Sequence, residues 1–341
     1  MTQTTPTARK LAALQGLGFE RTDSTPVATE AVRLTRRAFR VASTRPAMGT
    51  LVSICTIAPS QERAEEAIGR ALEEMDRLIA MFSRFEGTSA VSELNAAGRL
   101  DRSPPEVAHL LSRSLGYHEL SGGAFDITVE PLVDLFREQL DHATRREPTP
   151  AEIRDALELV GSHYLTLSPG GVRFAKAGMG ITLDGVAKGY IVDAVARVLR
   201  QHGIERYLIN AGGDIRAGGR KARRRPWTVG VQDPSKSGSF PDTIHLTDAA
   251  VATSGTYERY RHIVSSETGR SPTTSASVSV VAPSAMAADA LATAVFVMEP
   301  RQGIEFINSL SKCECLIIDD NGSQLTSRGW RSRRNHDPTI A

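Results

Sequence analysis

Three stretches of the chain carry apolar residues at every third or fourth position, a spacing that places them on one face of a helix. The first ends at Phe82 and, with acidic residues toward its start, predicts a helix of about six turns. The second covers 105–123 and stops at a pair of glycines, and the third covers 186–201 and stops at Gly203. We therefore expect three long amphipathic helices.

Short runs rich in Val, Ile and Thr, bounded by Gly, Pro or Asn, predict β-strands in the rest of the chain. Asn321-Gly322 after the last run is a hairpin signal. Few of these strands alternate one-for-one with helices, so the order of elements predicts an α+β fold with mixed sheets packed against helices. The strand-like runs are GTLVSICTIAP (49–59), RYLINAGG (206–213), WTVGVQDP (227–234), HLTDAAVATSG (245–255), SASVSVVAP (275–283) and ECLIIDDNG (314–322).

One further stretch, SAMAADALATAVFVM (284–298), is apolar nearly throughout and predicts a buried helix. Asp289 and Thr293 are its exceptions, and positions four apart share one helix face. Ser284 or Asp289 could cap the helix by accepting from its free N–H groups, while Thr293 bonds back to the carbonyl four residues earlier. Alternatively, the carboxylate and the hydroxyl supply two oxygens of a cation site whose other ligands come from elsewhere.

The composition limits the classes of function. The chain has 341 residues, of which 40% are hydrophobic and 23% charged, as in a globular protein with a large core or two lobes. Its net charge of +2 gives no reason to expect a nucleic acid or a membrane surface as partner. No run approaches the roughly 20 apolar residues of an integral membrane segment. The three cysteines, Cys55, Cys313 and Cys315, are too few for a disulfide framework, and we expect them reduced.

The two ends of the chain differ from the rest. Residues 1–45 are polar and irregular, and they predict a disordered or loosely docked extension, while 331–341 form a polar tail. TRRAFR (35–40) is similar to a twin-arginine export signal, but the apolar region that such a signal needs does not follow it. We therefore expect a cytoplasmic protein, with an exported, periplasmic one as the alternative.

Candidate chemistry lies in four other segments that join strands to glycines or to a helix start. Glycines let backbone amides approach a ligand closely, and a lysine in the first turn of a helix suits an anion. Each segment alone also has an ordinary interpretation as a turn or a solvated charge, and the basic run 218–226 is expected to be a solvated hairpin loop. The four are GGAFDITVEPLV (122–133), ITLDGVAKGYIVD (181–193), NAGGDI (210–215) and ATSGTYERYRHIVSSETGRSP (252–272).

Taken in order, these pieces resemble the FAD:protein FMN transferases, or ApbE-type flavin transferases. The similarity spans about 48–298, nearly the whole globular part. The matching pieces are MGT (48–50), FSRFEGTSAVSELN (82–95), GAFDITVEPLV (123–133), LDGVAKGYIVD (183–193), NAGGDI, ATSGTYERY, HIVSSETGRSP and SVSVVAPSAMAADALATA.

The resemblance implies a single ApbE-like, two-lobed α+β unit over residues 46–330 and a magnesium-dependent reaction. FAD is cleaved at its pyrophosphate, AMP leaves, and FMN becomes attached to a Ser or Thr of an acceptor flavoprotein of a redox system. Gly185, Asp289 and Thr293 match the ligands of the cation, and His262 matches the candidate general base. The positions that match FAD contacts are Met48, Phe85, Ala124, Phe125, Asp126, Thr182, Lys188 and Ile263.

The chain also departs from the family's usual pattern. Thr182, Thr256 and Ser265 stand where relatives often have Asp, and Asp184 stands where a small residue is more usual. Fewer carboxylates around the cation and His262 leave two other functions open: hydrolysis of FAD to FMN and AMP, and non-catalytic binding of FAD as a carrier or assembly factor.

Overall fold

The computed structural model describes residues 28–141, 146–231, 234, 240–255 and 263–330. Residues 1–27 of the predicted extension, the predicted tail 331–341 and the candidate base His262 lie outside the described residues.

Eight α-helices lie in these described ranges. The three long amphipathic helices expected from the sequence are present as α1, α3 and α6, and the apolar helix is present as α7, so these four predictions are confirmed. Ser60 caps the first of them by accepting a hydrogen bond from the backbone of Arg63. The helices are α1 (Gln61–Phe82), α2 (Ala90–Ala97), α3 (Pro105–Leu120), α4 (Glu130–Asp141), α5 (Pro150–Leu157), α6 (Ala187–Gln201), α7 (Ala285–Val297) and α8 (Pro300–Ser309).

The described strands pair in antiparallel fashion and form one large sheet and two small ones. The large sheet has nine strands in the order β1-β2-β3-β7-β8-β11-β12-β13-β14. The small sheets are the ribbon β9–β10 and the three-stranded β4-β6-β5. The strands are β1 (Ala28–Thr35), β2 (Ala38–Ala47), β3 (Thr50–Ala58), β4 (Arg99–Asp101), β5 (Leu165–Ser168), β6 (Gly171–Phe174), β7 (Tyr207–Ala211), β8 (Asp214–Gly218), β9 (Trp227–Val231), β10 (Asp242–Leu246), β11 (Ala250–Gly255), β12 (Ser277–Ala282), β13 (Glu314–Ile318) and β14 (Gln324–Thr326).

The large sheet buries both of its faces, because side chains alternate along a strand. Ile54 belongs to a core cluster with residues of α1, α6 and α7, whereas Ile57 on the same strand belongs to a cluster with the ribbon β9–β10. Trp330 completes the second cluster, and its buried indole nitrogen donates to Asp242 over 2.6 Å. Helices and antiparallel sheets packed in this way confirm the predicted α+β fold.

The sheet begins earlier in the chain than expected. Residues 28–45 belong to β1 and β2, and β2 pairs with β3 from Phe39 to Ala47, so the prediction of a loosely docked extension is wrong for this part. The inward positions of β2 are Val41, Ser43 and Arg45. Only the first of these is apolar, and β1 is exposed along most of its length, so the hydrophobic pattern does not reveal either strand.

Two loops refine the strand predictions. The run 245–255 is divided between two strands, because β10 ends at Leu246 and Asp248, with a φ of 49°, turns the chain before β11. The basic loop after β8 is exposed from residue 220 to 225, as expected of a solvated hairpin loop. Cys55, Cys313 and Cys315 form no disulfide bond. None of the helices in the described ranges combines the length and the apolar character that crossing a bilayer requires.

Candidate active site

A cavity of about 680 Å³ collects residues from nearly every segment singled out in the sequence. Of the twelve predicted site residues, eleven line this cavity, and the remaining one, His262, lies outside the described residues. Ile263, its neighbour in the chain, lines the cavity and is itself buried. The other ten are Met48, Phe85, Ala124, Phe125, Asp126, Thr182, Gly185, Lys188, Asp289 and Thr293.

The three residues predicted to bind a cation meet at the buried end of the cavity. Asp289 is only 5% exposed. A Cβ added to Gly185 would lie 2.8 Å from the hydroxyl oxygen of Thr293, so the backbone at Gly185 packs directly on that side chain. The hydroxyl of Ser254 lies 3.5 Å from the same oxygen. Gly185, Ser254 and Thr293, which come from three distant segments, thus lie together, and Asp289 is one helical turn before Thr293.

The carboxylate of Asp289 also bonds to a neighbouring helix. Its Oδ2 accepts a hydrogen bond of 3.0 Å from the backbone of Gly189, in the first turn of α6. The start of α7 is capped by Ser284, which accepts from the backbone of Ala287. The cap that the ordinary interpretation expects is thus supplied by Ser284, whereas the hydrogen bond described for Asp289 comes from α6.

The relation between α6 and α7 is reciprocal. Asp193 of α6 accepts hydrogen bonds of 3.0 and 2.9 Å from the backbones of Ala285 and Met286, at the start of α7. Gly189 lies at the closest approach of the two helices, where a Cβ would overlap the carbonyl of Ala285. Each helix thus supplies a carboxylate that satisfies free N–H groups at the other's N-terminus. Asp289 is consequently held in place by backbone as well as by side-chain packing.

Lys188, in the first turn of α6, provides positive charge beside this end of the cavity. Its ammonium nitrogen lies 3.2 Å from Oδ2 of Asp214, a carboxylate that is almost completely buried. Burial raises the pKa of Asp214, and the nearby Lys188 opposes this rise. The pair places a cationic side chain at a helix N-terminus, an arrangement that favours binding of phosphate groups.

The donor set at the buried end fits a hard divalent cation. A carboxylate, a hydroxyl and a backbone carbonyl are oxygen ligands, and Mg²⁺ usually combines one or two carboxylates with water and substrate phosphates. No group of three or more His, Cys, Asp or Glu side chains suited to a metal occurs among the described residues. A cation bound here would therefore need phosphate oxygens or water to complete its shell.

A tight turn also lines the cavity. Met48 and Gly49 connect β2 to β3 with φ values of 52° and 73°, as in a two-residue type I′ hairpin. Gly212, in the turn from β7 to β8, also has a positive φ of 66° and packs against Thr50. Turn chemistry of this kind explains why the MGT and NAGGDI motifs contain glycine where they do.

The segment GGAFD (122–126) is held mainly through Asp126. Its Oδ1 accepts from the backbone and hydroxyl of Thr128 and from the hydroxyl of Ser162, over 2.6 to 2.9 Å. Its Oδ2 lies 3.2 Å from Nδ1 of His118. Burial alone would raise the pKa of Asp126, but the hydrogen bonds outweigh it and lower that pKa. The carboxylate is committed to the protein, so a ligand in the cavity meets mainly the backbone of this segment.

The residues that depart from the usual pattern of the resembled family have different surroundings. Thr182 donates its backbone N–H to Ile127 over 2.8 Å, and its hydroxyl accepts from the backbone of Asp184. Ser265 accepts from two backbone N–H groups of the turn that follows it. Thr256 lies outside the described residues. At Thr182 and Ser265, the side chains thus stabilise local turns.

The sequence analysis did not single out Arg84, Glu130 or Asp134. Arg84 lines the cavity and pairs with Glu130, Asp134 and Asp184. Burial raises the pKa of Glu130 to about 7, although Arg84 opposes the rise. Arg84 is far from Glu130 and Asp134 in the chain, so no local pattern in the sequence links the three residues.

The chain is similar in sequence to one family of known proteins. The sequence model of the ApbE family matches residues 48–317. The FAD:protein FMN transferase of Treponema pallidum is 32% identical over 300 residues, which cover 78% of this chain and 82% of the relative. The enzyme of that name from Salmonella typhimurium is 29% identical over 276 residues, which cover 76% and 79%.

Solved structures give the same result. The flavin transferase ApbE from Vibrio cholerae superposes with a TM-score of 0.74 at 26% identity, covering 90% of this chain and 100% of the other. The ApbE protein of Thermotoga maritima superposes with a TM-score of 0.78 at 29% identity, covering 90% and 99%.

Proposed function

This chain belongs to the ApbE family, and we propose that it is an FAD:protein FMN transferase that uses Mg²⁺ and releases AMP. The acceptor is a Ser or Thr hydroxyl of a flavoprotein that serves a redox system. The observation that carries this proposal is the cavity itself, whose lining combines hard oxygen ligands, a lysine in the first turn of a helix and an exposed aromatic ring.

The buried end of the cavity receives the pyrophosphate. Lys188 and the first turn of α6 attract its negative charge. Asp289, Thr293 and the carbonyl of Gly185 hold the cation, which supplies neutralisation of the charge that develops on the phosphates. The hydrogen bonds by which Asp289 and Asp193 join α6 and α7 keep Lys188 and Asp289 at a fixed separation. The charges at this end are therefore in place before the ligand binds.

The flavin occupies the other end of the cavity. Met48 and Phe85 supply apolar surface for the ring system, and the backbone of residues 124–126 lies beside it. This orientation places the phosphorus atom of the FMN half between the two ends of the cavity. Ile263, the neighbour of His262 in the chain, lines the same cavity.

In the transfer step, His262 accepts the proton of the acceptor hydroxyl. The hydroxyl oxygen forms a bond to the phosphorus of the FMN half, and the bond from that phosphorus to the bridging oxygen breaks. The electron pair of the broken bond leaves with AMP. A neutral imidazole is the required form of His262, so we expect activity to fall on the acid side of its pKa.

We place the reaction in the cytoplasm. The three free cysteines support this location, because cytoplasmic thiols are kept reduced. Cell fractionation with an antibody to the chain tests it, and recovery in a periplasmic fraction would instead support the exported alternative.

Intact-mass analysis tests the function directly. The purified chain is incubated with FAD, MgCl₂ and a flavoprotein domain that carries one Ser or Thr site, and AMP is measured by chromatography. We expect the acceptor to gain one FMN with an equal amount of AMP, and we expect no gain with EDTA or with the acceptor's hydroxyl residue changed to Ala.

One variant of the chain and two alternative outcomes complete the test. His262→Ala should bind FAD but transfer FMN about 10²- to 10⁴-fold more slowly. Free FMN and AMP without labelled acceptor would show hydrolysis instead of transfer. Intact FAD that stays bound under all conditions would show a carrier.

A further inference from the structure

Phe85 lines the cavity but is largely exposed. The residue is 67% exposed, so packing against the rest of the protein does little to fix the orientation of its ring. Ser83 orders the backbone of this turn by accepting hydrogen bonds from the N–H groups of Phe85 and Glu86, each over 3.2 Å. The ring itself faces the guanidinium of Arg84, whose central carbon lies 4.7 Å from the ring centroid. A cation at this distance from an aromatic face attracts it.

Arg84, in contrast, is held from several sides. Its side chain is only 8% exposed. One terminal nitrogen lies 2.8 Å from Glu130 and 3.4 Å from Asp134, both on α4. The other lies 3.2 Å from Asp184, in the turn between Thr182 and Gly185. The guanidinium therefore connects the turn that carries Phe85 with the turn that carries the proposed cation ligand.

This cluster is not arranged for stability alone. Nε of Arg84 and Oε2 of Glu130 are buried without a hydrogen-bond partner, and burying a polar atom in this way is unfavourable. Three carboxylates also surround one guanidinium, and Arg137 offsets only part of their charge through Asp134. An arrangement that weakens the fold and borders a ligand cavity is typical of a functional requirement.

We propose that Arg84 is a positioning residue for flavin binding: it sets the orientation of Phe85 and, through Asp184, ties that ring to the turn at Gly185. The inference rests on the proposed function, since the ligand beside Phe85 is taken to be the flavin of FAD. It adds a specific requirement, namely that the flavin end of the cavity depends on the ion pair between Arg84 and Asp184 as well as on the ring of Phe85.

Binding experiments without Mg²⁺ and without acceptor test this inference. Asp184→Asn removes the charge of a side chain that is 37% exposed, so the variant is expected to fold. We expect its dissociation constant for FAD, measured by flavin fluorescence, to rise about twofold to fivefold, with weaker quenching of the bound flavin. ADP, which has no flavin, should bind no more weakly than to the parent. Arg84→Lys keeps the charge but loses the planar fork, and it should behave like Asp184→Asn.

Asp134→Asn is the matched control. It removes a carboxylate from the same guanidinium, but Asp134 does not line the cavity and belongs to α4. We expect parental affinity for FAD. Unchanged FAD affinity in Asp184→Asn, equal losses for FAD and ADP, or equal losses in Asp134→Asn and Asp184→Asn would each overturn the inference. Failure of the parent itself to bind FAD would instead count against the proposed function.

Discussion

The two ends of the cavity are built in different ways. At the cation end, Asp289 is buried and bonded to the backbone of a second helix. At the other end, which we call the mouth, Phe85 is largely exposed. Arg84 is the single charged neighbour among the contacts described for its ring. The first end is ordered by the fold, whereas the second is ordered by one ion cluster. A substitution should therefore act on chemistry at the cation end and on ligand affinity at the mouth.

The largest effect is expected at the cation end. Asp289→Asn keeps an oxygen that can accept the hydrogen bond from Gly189 but removes the charge that a cation requires. We expect FMN transfer in the presence of Mg²⁺ to fall at least about 100-fold, because a bound cation contributes several kcal/mol to such a step. The thermal unfolding midpoint should change little.

Asp193→Asn is the control for that prediction. It makes the same chemical change in the other half of the reciprocal pair, at a residue that does not line the cavity. Transfer should remain close to that of the parent. If the two variants lost activity equally, the loss would come from the packing of the two helices. The proposed difference between Asp289 as a cation ligand and Asp193 as a structural residue would then be wrong.

A smaller effect is expected at the mouth. Phe85→Ala should weaken FAD binding about fivefold, which corresponds to roughly 1 kcal/mol for one lost aromatic contact. The unfolding midpoint should stay the same because the ring is exposed. Titration of flavin fluorescence measures the affinity. An unchanged affinity would mean that the flavin does not reach Phe85.

The smallest effect concerns the stability of the folded protein and the ionisation of Glu130, the partner of Arg84. Because burial raises the pKa of Glu130 to about 7, its folded form resists ionisation, whereas the unfolded chain ionises near the ordinary value of 4.5. Glu130 therefore contributes stability below pH 4.5 that is lost as the pH rises to about 7. Glu130→Gln, which cannot ionise, should gain about 2 °C or more in unfolding midpoint relative to the parent at pH 8. The gain should be smaller at pH 5, and a gain independent of pH would contradict the assignment.

The same contrast explains what the sequence could predict. Long helices, Val- and Ile-rich strands and glycine turns leave local patterns, so α1, α3, α6, α7 and most of the large sheet were predictable. The residues at the cation end lie within those patterned segments. The order of the motifs along the chain is similar to that of a known family, and this similarity made the site residues predictable.

Other features leave no local pattern. The buried positions of β2 include Ser43 and Arg45, and the side chain of Arg45 pairs with Asp76 of α1, so polar residues occupy an inward face. The partners of Arg84 come from α4 and from the turn at Asp184. An ion cluster of this kind depends on where the chain brings distant residues together, and no spacing in the sequence reports it.

The pairing of β3 with β7 has a consequence for how the protein is made. Val52 pairs with Ala211, so the central ladder cannot close until most of the polypeptide has left the ribosome. Contacts between such distant residues also slow folding, because a long loop must be closed before they stabilise anything. The cavity needs Met48, Gly185 and Asp289 together, and it therefore exists only after that closure. Flavin fluorescence during refolding should consequently report the last stage of assembly.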